Sequence, residues 1–242
     1  MTNSANDNQS LTGPQRAGQR RRQQSRQRLL NAAAAEFSER GYAAATVERI
    51  AERAEVSLQT LYHAWGSKRA LLRGYLESCV GGTDEPLTPG QPPSIVLAGV
   101  PPTARHDPQA LLRHLVHQYR LVAQRSATAW ACYRDAAGAD PDIAADWQHL
   151  HEVRRQSFTA LIGLFPAGSF RSGLSRTTVI NTAWAVASPE TYELLVTRSG
   201  YSTARLESWV LDTLATTLLA QPPARPVPAD RRRKVGQSLA SP

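Results

Sequence analysis

Leu58, Gln59, Thr60, Tyr62 and His63 are the cluster whose residue types and spacing could do chemistry, and that chemistry is recognition rather than catalysis. On a helix, residues four apart share a face, so Leu58 falls beside Tyr62 and Gln59 beside His63. Such a face carries amide, hydroxyl, imidazole and phenol groups next to one methyl-rich side chain. That mixture suits the donor, acceptor and methyl pattern of the DNA major groove, with Gln59 the candidate for pairing with adenine. The plain alternative is a helical hairpin with a solvated polar face.

The flanking residues are those needed to hold this helix. Thr46 is a candidate N-cap, and Val47, Ile50, Ala51 and Ala54 have the spacing of one buried helical face. Val56 is a plug in the turn, and Ser57 is a second N-cap. Leu61 and Trp65 face inward, and Ser67 opens a third helix running into Ala70, Leu71 and Leu72. Upstream, Leu30, Ala33, Ala34 and Phe37 mark a supporting helix that ends with Gly41 in a C′ position. Arg20, Arg21, Arg22, Arg26 and Arg28 precede that face. They suit either phosphate or minor-groove contact or a solvated helix start.

The run from Thr46-Val47 through Ile50-Ala51, Ala54, Val56-Ser57, Thr60-Leu61-Tyr62 and Trp65 to Ser67-Lys68 resembles the DNA-binding domain of TetR-type transcriptional regulators. The resemblance implies an all-α protein: an N-terminal three-helix helix-turn-helix domain and a C-terminal helical ligand-binding and dimerisation domain. It implies DNA contacts from Thr46, Ser57, Leu58, Gln59, Thr60, Tyr62, His63 and Lys68, with Tyr62 and Lys68 on phosphates, aided by Arg21 and Arg22. Four positions depart from the family pattern. Glu55 stands where Gly is usual, costing about 1 kcal/mol if the turn needs a positive φ. Trp65 stands for Phe and keeps an aromatic plug. Arg49 and Arg69 replace acids in first turns, which weakens the helix starts and adds positive potential near an anionic partner.

Charge is partitioned along the 242 residues in the same sense. The net charge of +8 arises from +6 over 16–77, −1 over 78–220 and +4 over 221–242, with Asp7 alone before them. A basic reading unit joined to a near-neutral body is the footprint of a nucleic-acid binder. Cys79 and Cys132 form no metal-spaced pair and read as reduced thiols, and no apolar run is long enough to span a bilayer. A cytoplasmic protein without membrane partners is expected.

The organisation expected along the chain is a disordered arm over 1–19, the helix-turn-helix domain over 20–78, and the helical body over 79–220. Within that body, 81–108 holds seven prolines and reads as a linker or loop, with Ser94–Val100 briefly extended. A basic disordered tail follows over 221–242. Asp107-Pro108 and Asp140-Pro141 are helix starts. The periodicity gives a helix from Leu111 past Tyr119, another over Ala127–Ala137, and further helices from Asp140, Ser175, Ser188 and Ser202. Pro166–Gly173 and Gly200 are breaks.

For the body, the resemblance implies a homodimer built on the last helices, assigned to Ala183, Leu206, Val210, Leu214 and Leu218. It also implies an effector pocket among the middle helices. Trp130, Tyr133 and Trp184 are pocket candidates, with His117 or Arg134 as polar anchor, although aromatic rings also fill cores. His114 with His117, and His149 with His151, lack a clear third ligand, so no metal, cofactor or catalytic residue is expected. The reading is a homodimeric repressor on a palindromic double-stranded operator, relieved by a small molecule. The rival is a helical small-molecule-binding protein or enzyme with a vestigial helix-turn-helix. The positive charge kept on the N-terminal quarter argues against it.

Overall fold

The computed structural model describes residues 13–82, 92, 94–97 and 100–220; the expected tail, residues 1–12 of the expected arm and 83–91, 93, 98 and 99 of the linker lie outside them. Among the described residues ten helices follow in order: α1 (Gly13–Ala44), α2 (Val47–Arg53), α3 (Leu58–Trp65), α4 (Lys68–Gly81), α5 (Ser94–Leu97), α6 (Pro108–Ala137), α7 (Pro141–Ile162), α8 (Arg176–Val186), α9 (Pro189–Tyr192) and α10 (Thr203–Leu218). A 3-10 turn over Pro102–His106 precedes α6, and a π-helical stretch over Glu193–Arg198 follows α9. Among the described residues no strand forms, only an isolated bridge between Phe170 and Leu219.

The caps explain where most of these helices begin. Thr46, Ser57, Ser67, Ser175, Ser188 and Ser202 each accept a backbone N–H three residues on, and Asp107 and Asp140 do so ahead of a proline at the first helical position. The end of α2 is a Schellman turn: Val56 N–H donates to the Ala51 carbonyl and Glu55 N–H to that of Glu52, both at 3.0 Å. Glu55 sits there at φ 55°, so the cost expected of a non-glycine residue is incurred.

Four readings need correction. Residues 13–19 are helical rather than a disordered arm, because their Gln- and Arg-rich sequence is polar yet helix-competent and continues a helix anchored by Leu29 and Leu30. Gly41 (φ 73°, ψ 167°) kinks α1, but the chain makes one more helical turn to Ala44. Ser94–Leu97 is helical, not extended. Leu111–Ala137 belongs to one helix, not two: no Gly or Pro interrupts it, and the buried Ser126 hydroxyl donates to the Val122 carbonyl one turn back.

α6 is the spine of the molecule. Its C-terminal half (Ala129, Tyr133, Ala136) joins the head's core of Leu30, Phe37, Ile50, Leu61 and Leu72. Its N-terminal half (Leu112, Val116) joins a second core with Ile180 of α8 and Leu206, Val210 and Leu214 of α10. The reading head is therefore packed on the body through α1 and α4 rather than hung from a loose linker.

Candidate nucleic-acid interface and effector cavity

α3 is held from below by Leu61 and Trp65, both buried, and from its N-terminus by Ser57, whose hydroxyl accepts the Thr60 N–H at 3.1 Å. What remains outside is the face expected from spacing. Leu58 and Tyr62 are 39% and 50% exposed, Gln59 and His63 are exposed, and Thr60 is half-buried with its hydroxyl 2.9 Å from that of Ser57. The indole of Trp65 fits because Gly74 of α4 lies against it: a Cβ at 74 would stand 2.2 Å from the ring. The guanidinium of Arg26 covers the same ring at 3.6 Å and donates to the Ala64 carbonyl, so Arg26 is part of the support. Arg21 and Arg22 remain exposed on the early turns of α1.

Several expected DNA contacts have work inside the protein. Thr46 and Ser57 spend their hydroxyls as caps, although both stay exposed. Lys68 is half-buried over the Tyr42 ring and donates to the Tyr42 and Ala45 carbonyls at 2.9 Å each, and burial lowers its pKa. Two of its three N–H donors therefore close the end of α1, leaving one for the phosphate contact expected of it. The added positive potential expected of Arg49 and Arg69 is also partly offset. Arg49 lies 3.6 Å from the buried Glu36 of α1, and Arg69 donates to both oxygens of the buried Asp146 of α7 at 2.7 and 2.8 Å. Arg73 donates to Asp146 as well.

The body holds a partly open cavity of about 150 Å³ between α6, α7, α8 and α10, bordered also by Val80 of α4 and Val96 of α5. Of the expected pocket residues only Trp130 lines it. Tyr133 is fully buried in the head's core, and His117 is exposed, 3.0 Å from Glu207. Arg134 pairs with Glu193 at a separate surface recess that Trp130 also borders. Trp184 lies outside the lining, against His151 and Arg154. These side chains were grouped by residue type, and helix rotation, which single-sequence spacing leaves loose, sends them to different neighbours.

The residue missed is Arg154, the single charged side chain among the described residues lining the cavity. Its Nη2 donates to the Trp184 and Ala187 carbonyls at the end of α8, both at 2.6 Å. Burial pulls its pKa down to about 10, so it is charged at neutral pH. The sequence held a signal: Arg154 is four residues from Leu150 and from Phe158, on the apolar stripe of α7, where a solvated Arg does not belong.

The expected dimer residues are also corrected. Ala183, Leu206, Val210, Leu214 and Leu218 are all buried within the protomer's own second core, so they offer nothing to a partner. The outward face of α10 carries Trp209, 39% exposed, with Asp212 and Thr216, and that of α8 carries Thr177, Asn181 and Ala185. Among the described residues no three His, Cys, Asp or Glu side chains converge as a metal site, and no helix is long and apolar enough to cross a membrane.

A short capped helix with an exposed polar face, braced by two others and joined to a helical body, defines a helix-turn-helix DNA-binding protein. Residues 29–75 match the family model described as bacterial regulatory proteins, tetR family. The chain is 31% identical over 159 residues to the HTH-type transcriptional repressor KstR2 of Rhodococcus jostii (strain RHA1), covering 62% of this chain and 69% of that protein. It superposes on a TetR-family transcriptional regulator from Rhodococcus sp. with TM-score 0.61 at 18% identity, over 81% of this chain and 99% of that one. It superposes likewise on NalD, the secondary repressor of the MexAB-OprM multidrug efflux pump in Pseudomonas aeruginosa, with TM-score 0.59 at 17% identity, over 81% and 97% of the two chains. At those identities the structural likeness concerns the fold. The chain belongs to the TetR family of bacterial transcriptional regulators.

Proposed function

We propose that this regulator acts as a homodimeric repressor that reads a palindromic operator with α3 and leaves it when a small molecule fills the cavity. The observation that carries the reading is the place of α7. Asp146 on α7 grips Arg69 and Arg73 of α4, the helix that follows the reading unit, while Arg154 of the same helix lines the cavity. The two lie eight residues apart, roughly 12 Å along the axis. A ligand with differential affinity for one position of α7 therefore biases α4 and the spacing of two heads.

In this reading Gln59 and His63 face base edges with Leu58 and Thr60, and Tyr62 with Arg21 and Arg22 faces the backbone. The dimer forms through the outward faces of α8 and α10, where Thr177, Asn181 and Ala185 allow close approach and Trp209 supplies an apolar anchor. Selection of bound sequences from random duplex DNA tests it: a two-fold symmetric site with half-sites about one helical turn apart, or a multiple, is expected. Gln59→Ala should cost about 1–3 kcal/mol at one base pair per half-site and leave the others unchanged. A uniform loss across sequences would overturn the base-contact role. Trp209→Arg should sediment as a folded monomer with no preference for paired half-sites; a persisting dimer would overturn the interface.

A further inference from the structure

We propose that the cavity binds an organic carboxylate with an apolar body about the size of one aromatic ring, its carboxylate on Arg154; this rests on the effector reading above. Among the described residues the wall is otherwise without charge, and its hydroxyl groups are occupied within the protein. The Tyr119 hydroxyl donates to the Ser188 carbonyl at 2.9 Å, Ser126 to that of Val122 and Ser157 to that of Val153. Arg154 is different. Its Nη2 caps α8, but Nη1 is buried without a hydrogen-bond partner among the described residues.

No described carboxylate lies within ion-pair distance of Arg154. Glu190 acts on it only through space and stands 3.8 Å from His151 Nε2. A guanidinium in apolar surroundings is costly unless an anion meets it, and capping two carbonyls does not neutralise it. Beside it, His151 Nδ1 and Trp184 Nε1 are also buried without partners, and the two rings are 6.1 Å apart. Unmet hydrogen-bonding atoms gather here, at the edge of an apolar space. A carboxylate supplies the acceptors and the charge together, and a guanidinium is the side chain best shaped to receive it. The volume, about 150 Å³, sets the size of the rest, since a void of that order admits a benzene ring.

The probes are 4-phenylbutyrate and octanoate, each paired with the alcohol of the same skeleton, titrated into the full chain with tryptophan fluorescence as readout. Trp130 in the wall reports occupancy. The wild type should prefer each acid over its alcohol by roughly tenfold or more. Arg154→Gln keeps an amide donor for the end of α8 and should erase that preference while still binding the alcohols. Equal binding of acid and alcohol by the wild type, or no binding of either acid, would overturn the proposal, and neither result depends on the variant folding. Acids that bind through Arg154 without releasing operator DNA would support this site and overturn the effector reading instead.

Discussion

Glu36 in the head is a buried charge and Arg154 in the body a half-buried one with its Nη1 out of water, and their surroundings differ. Glu36 has Arg40, Arg49 and Arg53 at 3.3, 3.6 and 3.0 Å, and Asp146, where head meets body, has Arg69 and Arg73. Arg154 has two carbonyls and, among the described residues, no carboxylate within ion-pair distance. Packing differs in the same way. In the head a single added methyl at Gly74 would strike Trp65, whereas the body leaves a cavity of about 150 Å³. The head pairs its buried charge with arginines, although Glu36 Oε2 and the Tyr133 hydroxyl lack hydrogen-bond partners, and it presents its chemistry outward. The body keeps an unmet charge and unfilled space, the two features a ligand can supply.

The largest effect tests the closed side of that contrast. Asp146→Asn removes the acid between Arg69 and Arg73 and should destabilise the protein by about 2 kcal/mol in denaturant titration. That is less than the loss at a fully buried pair, because both arginines keep part of their hydration. Hydrogen bonding from Arg69, and then the charges of Arg73 and Arg69, outweigh burial and hold the Asp146 carboxyl below its ordinary range. A depressed pKa contributes stability that is complete above the unfolded value, near 3.9, and is lost as pH falls through the folded one. The wild type should therefore lose this increment on acidification and Asp146→Asn should not. Matching acid limbs would show that the site is not closed in the sense argued.

Gly74→Ala comes next. Overpacking against the indole should cost about 1 kcal/mol, and Trp65→Phe in the same chain should recover most of it, since the smaller ring vacates the space the methyl takes. Additive losses in that cycle would break the account of the head as tightly fitted. The smallest effect belongs to the open side. Ala123→Leu adds bulk to the cavity wall and should change stability by less than about 1 kcal/mol while weakening the carboxylate probes. A loss as large as that of Gly74→Ala would erase the difference between the two regions.

The reading unit was legible because it is local. Thr46, Ser57 and Ser67 cap within three residues of themselves, and the inward set of Ile50, Ala51, Leu61 and Trp65 follows from helical period alone. The turn at Glu55 was readable for the same reason, since a Schellman end is decided by a few consecutive residues. Composition misled at 13–19, where polarity suggested disorder in a segment that continues a nucleated helix. It misled again near Ser126, where an apparent pause in the apolar period was a buried hydroxyl bonded to its own helix.

What only the tertiary structure decided is which long-range neighbour each side chain meets. Arg69 finds Asp146 across 77 positions, Lys68 turns to Tyr42 and Ala45, and Leu206, Val210 and Leu214 close the protomer's own core instead of facing a partner. Period tells that a residue lies on an apolar stripe; it does not tell whether that stripe meets the same chain or a second copy. Arg154 is the sharpest case. The sequence set it four residues from Leu150 and from Phe158, but only the packing of α7 against α6 and α8 left it half-buried beside a cavity, its Nη1 buried and no acid among the described residues to meet it. Local hydrogen bonds and helical period act over a few residues and can be read in order. Burial and charge pairing are set by elements far apart in sequence, and so they had to be seen.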